Sequence, residues 1–193
     1  MTLCIIIHKL DIYNFIELFL ILILIWKGIF LKITHLKRYV HVALGGTFDI
    51  LHRGHLELLK KSFEIGLFVT IGVTSDEFVS AKLKKKIKNP FPVRVQNLRN
   101  FLQMKIGVNN NYEITKLDDN FGPLMISDKI DCLVVSSETE KNGKTINNHR
   151  LDLGLPAIDI VVVKLVLAED GVPISSTRIR SFEIDGDGFK INK

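Results

Sequence analysis

The feature that most constrains the fold is residues 40–55, in which an apolar run passes through two glycines into a polar turn and then a helix. Residues 40–44 have the length and β-branched content of a buried strand. Gly45 and Gly46 follow, where the backbone can turn tightly or lie close to a ligand. Residues 57–63 have helical spacing. The start of a helix carries free N–H groups that suit an anion, so this stretch predicts a phosphate site.

Two histidines stand at the start of that helix, His52 and His55, and their spacing of three places them on one helical face. Two histidines can also form half of a metal site, and Asp49 is near enough in sequence to add a third ligand. A metal site is therefore the minor alternative, and we predict no resident metal. Neither a Gly-Lys-Ser/Thr phosphate loop nor a three-glycine dinucleotide fingerprint occurs.

The rest of the chain alternates strand-like and helix-like segments. Strands are predicted at residues 67–73, 112–117, 132–136 and 158–163, and the clearest helix at 93–104. This alternation predicts an α/β domain with a parallel sheet covered by helices on both faces. Ligands of such sheets bind at the carboxyl ends of the strands, where the polar turns lie. We place the single domain at residues 39–186 and a C-terminal tail at 187–193.

A second polar motif lies near the end of the chain, where Ser175, Ser176 and Thr177 precede a short helical stretch bearing Arg178 and Arg180. Capping of the helix accounts for one hydroxyl, but not for three in a row beside a guanidinium. Hydroxyls, helix N–H groups and an arginine together suit a polyphosphate. The motif therefore predicts a second phosphate-binding element.

A lysine cluster occupies residues 82–88, and most of its members are expected to lie in a solvated loop. One lysine on such a loop could deliver a positive charge to the phosphate site. Lys82 is our first choice and Lys84 the second. Beyond residue 38 the chain carries 21 basic and 19 acidic groups, and aromatic residues are not interleaved with the lysines. We therefore expect no nucleic-acid partner.

Residues 1–38 differ in composition from the rest of the chain, and residues 12–31 have about the length that spans a bilayer, although they include Glu17 and Lys27. Three interpretations stay open: a membrane anchor, a signal peptide without a small-residue cleavage site, and a segment that the working protein lacks because its start is misassigned. The next methionine is Met104, so a later start would need a non-AUG codon. Membrane contact is expected only if residues 12–31 form a real segment.

The two motifs resemble those of the nucleotidyltransferase superfamily with a His-x-Gly-His motif, which stands here at residues 52–55. The superfamily's Ile-Ser-Ser-Thr-x-x-Arg motif stands at residues 174–180. Gly-Gly-Thr-Phe-Asp at 45–49 and Gly-Val-Thr-Ser-Asp-Glu at 72–77 are similar to the phosphopantetheine adenylyltransferases of the archaeal and eukaryotic type, as are residues 134–139 and 147–150. The resemblance covers about residues 39–186 and implies a Rossmann-like (HUP-type) fold. Residues 1–38 have no counterpart in it.

The resemblance implies an enzyme that transfers the adenylyl group of ATP to 4′-phosphopantetheine, giving dephospho-coenzyme A and pyrophosphate in coenzyme A biosynthesis. Mg²⁺ is expected with ATP, and the cytoplasm as the location. The distant cysteines, Cys4 and Cys132, fit a reducing compartment. The alternatives are another member of the superfamily, acting with CTP or on another phosphate acceptor, and a non-catalytic nucleotide-binding module held at a membrane. The oligomeric state is left open.

The resemblance also implies a role for each site residue. His55 would contact the α-phosphate of ATP, and His52 the polyphosphate. Thr47, Asp49 and Lys82 would bind the acceptor, with Thr47 orienting its attacking phosphate. The remaining residues would bind ATP: Gly45 and Gly46 through close backbone approach, and Ser175, Ser176, Thr177 and Arg178 around the β- and γ-phosphates.

Overall fold

The computed structural model describes residues 22–23, 37–83, 86–108, 110–125 and 127–191. Contacts divide the chain into two units, residues 1–38 and 39–193. Most of the predicted segment 12–31 lies outside the described residues, so the three interpretations of it stay predictions. Within the described ranges, no helix is both long enough and apolar enough to cross a bilayer.

The second unit is built on five parallel strands, and this confirms the predicted Rossmann-like sheet. The strands are β1 (Tyr39–Gly46), β2 (Gly66–Thr74), β3 (Tyr112–Leu117), β4 (Cys132–Ser136) and β5 (Asp159–Val163). Their order in the sheet is β3-β2-β1-β4-β5. The chain moves outward from β1 to β3 and then returns to the other side of β1. The crevice between the carboxyl ends of β1 and β4 is therefore the switch point at which such sheets bind ligands.

Helices cover both faces of the sheet, as predicted. They are α1 (Arg53–Ile65), α2 (Asp76–Phe78), which continues as a π-helical turn (Val79–Leu83), α3 (Phe91–Lys105), α4 (Glu140–Asp152) and α5 (Ser176–Arg180). A 3₁₀ turn (Gly122–Met125) takes the place of a helix between β3 and β4. Helices α1 and α3 pack on one face, whereas α4 and the 3₁₀ turn pack on the other.

Alternate strand residues form the two core layers, because successive side chains of a strand point to opposite faces. Val42, Leu44 and Ile71 face α1 and α3. Ala43 and Leu133 belong to the layer beneath α4. Burial on both faces explains why the inner strands β2 and β4 read as near-continuous apolar runs in the sequence. It also fixes where each strand ends, and so where the polar turns stand.

The predicted C-terminal tail, residues 187–193, is described as far as residue 191 and packs on the body, and the domain boundary at residue 186 stays a prediction. Gly188 is buried, and its carbonyl oxygen accepts a hydrogen bond of 2.9 Å from the Glu169 N–H. Ile184 and Lys190 pair as an isolated antiparallel bridge. Gly188 has φ +95°, a conformation that favours glycine, and a Cβ there would lie 2.7 Å from Ile174. The turn that brings the chain back therefore depends on a single glycine.

Candidate phosphate-transfer site

One cavity of about 890 Å³ lies at the carboxyl edge of the sheet, and residues following all five strands line it. It brings together the two motifs that the sequence places some 120 residues apart. Nine of the predicted site residues line it: Gly45, Gly46, Thr47, Asp49, His52, His55, Ser175, Ser176 and Thr177. Lys82 and Arg178 do not.

His52 caps helix α1, which fixes its tautomer. Its Nδ1 accepts a hydrogen bond of 3.1 Å from the Gly54 N–H, so the ring proton lies on Nε2. A Cβ at Gly54 would lie 3.0 Å from the His52 ring, so a larger residue there would displace the imidazole. The central glycine of the His-x-Gly-His motif is therefore a packing requirement. The ring centroids of His52 and His55 lie 3.9 Å apart.

Both histidines are neutral at physiological pH in this structure. Burial lowers the pKa of His52 from 6.5 to about 4. Burial and the adjacent His52 together lower the pKa of His55 to about 3. Two imidazoles this close repel each other when both are positively charged, so double protonation is unfavourable without an anion beside them. Each neutral imidazole still has one N–H group that can donate a hydrogen bond. A bound polyphosphate would raise both pKa values, because its negative charge favours the protonated imidazoles.

The turn between β1 and α1 contains a strained residue. Phe48 has φ 51° and is 1% exposed, and its ring centroid lies 5.1 Å from that of His55. Bulky residues rarely adopt this left-handed conformation, and where they do the turn is commonly functional. A Cβ at Gly46 would lie 3.1 Å from the Phe48 ring. The Phe48 ring thus packs against the His55 ring, and Gly46 leaves room for the Phe48 ring.

Asp49 joins the two motifs to the lysine loop, the segment that ends at Lys88 and Asn89. Its buried carboxylate accepts hydrogen bonds from the N–H groups of Lys88, at 2.9 and 3.0 Å, and of Asn89, at 2.8 Å. The guanidinium of Arg180 donates another at 2.7 Å. Burial alone would raise the pKa of Asp49, but these donors hold it below its ordinary value.

Protein donors engage both carboxylate oxygens of Asp49, which gives this residue a structural role, and its predicted contact with the acceptor stays a prediction. The metal alternative would need this same carboxylate as its third ligand, and it stays an alternative. Among the residues that the structure describes, no group of three or more metal-ligating side chains forms.

A serine hydroxyl of the second motif adds a further link to the first, beside the Asp49–Arg180 pair. Ser175 Oγ accepts from the Arg178 N–H at 3.3 Å and so caps helix α5. Ser176 Oγ donates to the Ile50 carbonyl oxygen at 3.0 Å, which holds α5 beside the turn that follows β1. Thr177 is exposed at the cavity wall. Of the three hydroxyls, that of Thr177 is the most open to solvent.

The arginine that faces the cavity is Arg180, not Arg178 as predicted. The Arg178 guanidinium pairs with Asp170 and with Glu183, the latter at 3.1 Å, and so points into the C-terminal segment. Arg180 lines the cavity, and its buried Nε has no hydrogen-bond partner among the described residues. Two residues along a helix point to nearly opposite sides, which explains why the sequence alone does not distinguish the two arginines.

The lysine cluster also departs from the prediction. Lys82 is exposed on the π-helical turn and does not line the cavity, whereas Lys86 does. Lys84 lies outside the described residues, so the prediction for it stays a prediction.

One residue with a structural part in the site was missed altogether. Arg94 is fully buried, and its guanidinium donates to three main-chain carbonyl oxygens: those of Thr47 at 2.6 Å, Thr74 at 2.7 Å and Asn89 at 3.1 Å. It also pairs with Asp76 at 2.8 Å. One side chain therefore joins the ends of β1 and β2 to the lysine loop.

A signal for Arg94 was present in the sequence. Arg94, Leu98 and Leu102 recur at intervals of four on helix α3, and all three are buried. An arginine at a core position of an amphipathic helix indicates a buried cation that must find acceptors.

The family model of the cytidylyltransferase-like proteins matches residues 43–182. The phosphopantetheine adenylyltransferase of Methanothermobacter thermautotrophicus is 43% identical over 157 residues, which cover 81% of this chain and 93% of that protein. That of Methanopyrus kandleri is 44% identical over 152 residues, which cover 79% and 95%. This chain belongs to the phosphopantetheine adenylyltransferases, within the cytidylyltransferase-like family.

A solved structure agrees with this family. The crystal structure of a protein with unknown function from Archaeoglobus fulgidus matches with a TM-score of 0.57 and 37% sequence identity, over 64% of this chain and 89% of that one. The resemblance inferred from the two motifs is thus confirmed, and the chain is a nucleotidyltransferase.

Proposed function

We propose that this protein transfers the adenylyl group of ATP to 4′-phosphopantetheine, giving dephospho-coenzyme A and pyrophosphate. The observation that carries the proposal is the convergence of His52, His55 and the Ser175–Thr177 hydroxyls on one cavity, in a chain over 40% identical to phosphopantetheine adenylyltransferases. The cavity's 890 Å³ lies in the upper range of small-molecule sites and suits two bound substrates.

In the proposed reaction a phosphate oxygen of the acceptor attacks the α-phosphorus of ATP, and the bond to the β-phosphate oxygen breaks as pyrophosphate leaves. The attacking phosphate monoester is already a nucleophile, so no general base is needed. Catalysis then depends on alignment and on stabilising the charge that develops on phosphate oxygens. His55 and the Nε2–H of His52 would donate to the α-phosphate and the polyphosphate. Thr47 would orient the attacking phosphate.

The part of the cavity wall formed by helix α5 would hold the leaving pyrophosphate. Thr177 and Arg180 supply a hydroxyl and a guanidinium there, and a guanidinium pairs well with phosphate oxygens. Mg²⁺ would enter with ATP and neutralise its phosphate charge. We assign it no ligand at Asp49, because protein donors already engage that carboxylate. Lys86 is the lysine we assign to the phosphates in place of Lys82. We further propose that the enzyme acts in the cytoplasm.

The proposal is tested by measuring pyrophosphate release from the full chain with ATP or CTP, each combined with 4′-phosphopantetheine or glycerol 3-phosphate. We expect release only with ATP and 4′-phosphopantetheine. Release with CTP, or with glycerol 3-phosphate, would identify another nucleotidyltransferase activity. ATP binding without release on either acceptor would favour the nucleotide-binding module.

A further inference from the structure

Thr74, the last residue of β2, carries a buried hydroxyl that the reaction described above does not use. The residue is 7% exposed and lines the cavity. Its Oγ1 has no hydrogen-bond partner among the residues that the structure describes. Most buried polar side-chain atoms are hydrogen-bonded, because a buried hydroxyl without a partner is unfavourable. A hydroxyl of this kind at a cavity wall is available to a ligand.

The position of Thr74 indicates which ligand. Gly46 pairs with Val73 across β1 and β2, so the residues that follow, Thr47 and Thr74, are neighbours. Arg94 holds both, with Nη1 on the Thr47 carbonyl oxygen and Nη2 on that of Thr74. Thr74 therefore stands beside the residue proposed to orient the attacking phosphate.

Thr74 also lies on the side of β1 away from the switch point. The crevice between β1 and β4 is where the nucleotide is expected, and β2 flanks β1 on the opposite side. The cavity wall around Thr74 includes Gly72, Thr115 and Leu117, which lie on the same face of the sheet as Thr74, with the Leu117 side chain packed over Gly72. These positions favour the acceptor over the nucleotide.

We propose that Thr74 is an acceptor-binding residue, whose hydroxyl hydrogen-bonds a polar group of the acceptor close to the attacking phosphate. The proposal rests on the function proposed above. The acceptor carries a hydroxyl and amide groups beyond its phosphate, and each of these can pair with a threonine hydroxyl. Arg94 would fix the strand end from which this hydroxyl projects.

The test compares Thr74→Val and Thr74→Ser in the full chain, with exposed Thr145→Val on helix α4 as the matched control. Valine keeps the shape of threonine but removes the hydroxyl. We expect the KM for 4′-phosphopantetheine to rise roughly 5- to 20-fold in Thr74→Val, the factor for one buried hydrogen bond. The KM for ATP should stay within about twofold, and Thr74→Ser should recover most of the loss.

Two further readouts separate binding from a structural role. The Tm of Thr74→Val should equal or exceed that of the wild type, because the hydroxyl has no protein partner to lose. Calorimetric titration with 4′-phosphopantetheine alone should give a weaker Kd for Thr74→Val than for the wild type by a similar factor.

The proposal is overturned if the KM and Kd for 4′-phosphopantetheine do not change in Thr74→Val. A rise confined to the KM for ATP would assign the hydroxyl to the nucleotide instead. A lowered Tm with both KM values unchanged would show a purely structural role. If the wild type binds 4′-phosphopantetheine but releases no pyrophosphate, the proposed reaction fails while the calorimetric comparison still decides on Thr74. If the wild type does not bind it, both proposals fail.

Discussion

Replacing Arg94 with methionine should destabilise the protein severely, because it removes the guanidinium that joins the ends of β1 and β2 to each other and to Asn89. Three carbonyl oxygens, one buried and two partly buried, would lose a charged donor, and such hydrogen bonds contribute about 1.5–3 kcal/mol each without being additive. The pair with Asp76 adds less, since that carboxylate is 37% exposed. Removing one partner of a buried ionic network costs about 3–5 kcal/mol, which we take as the expected loss.

This loss should lower Tm by about 6–20 °C, because one kcal/mol corresponds to about 2–4 °C in a chain of this size. Thermal unfolding measures it, and Arg99→Met is the control, since Arg99 is an exposed arginine of the same helix. Arg94→Lys keeps one donor group and should fall between wild type and Arg94→Met. Its kcat/KM should drop about 100-fold even where it is folded, because small shifts of aligned groups are costly. If Arg94→Met has the same Tm as Arg99→Met, the stabilising role of the Arg94 hydrogen bonds is refuted.

Two further predictions concern the histidines and the arginines. Because His52 and His55 stay neutral in the folded protein down to about pH 4 and 3, whereas unfolded histidines protonate near 6.5, acid should reduce the free energy of unfolding. Between pH 6.5 and 4.5 the double variant His52→Asn/His55→Asn should therefore lose less stability in urea titrations than the wild type, by at most about 1.4 kcal/mol per pH unit and histidine. Equal pH slopes would contradict the lowered pKa values. Arg180→Met should reduce kcat/KM for ATP at least about tenfold more than Arg178→Met, since Arg180 lines the cavity and its guanidinium would pair with phosphate oxygens there. The reverse order would assign Arg178 to the phosphates instead.

The sheet was predictable from the sequence because its central strands are apolar runs buried on both faces, while β3 at the edge alternates polar and apolar residues. Residues 112–117 and 132–136 were placed with the bounds that the structure has. The polar turn at residues 45–55 was predictable for the same reason, since the end of a buried strand fixes where the turn begins. The positions of His52 and His55 were predictable in turn, because helix α1 begins directly after this turn.

The contacts between distant segments were not predictable. Asp49 finds its partners about 40 and 130 residues away, in Lys88, Asn89 and Arg180, and periodicity carries no information about such pairs. The unpaired hydroxyl of Thr74 is visible only once its neighbours are placed. Local sequence pattern thus located the site, whereas tertiary hydrogen bonding decided which of its polar groups remain open to the cavity.

The central claim is that the cavity containing His52 and His55 is the adenylyl-transfer site. The most direct test is formation of dephospho-coenzyme A from ATP and 4′-phosphopantetheine, followed by mass spectrometry, in wild type, His55→Ala and the exposed-histidine control His149→Ala. We predict product from wild type and from His149→Ala, with the rate of His55→Ala reduced at least about 100-fold and its thermal unfolding still cooperative. Product formation by folded His55→Ala at the wild-type rate would contradict the claim.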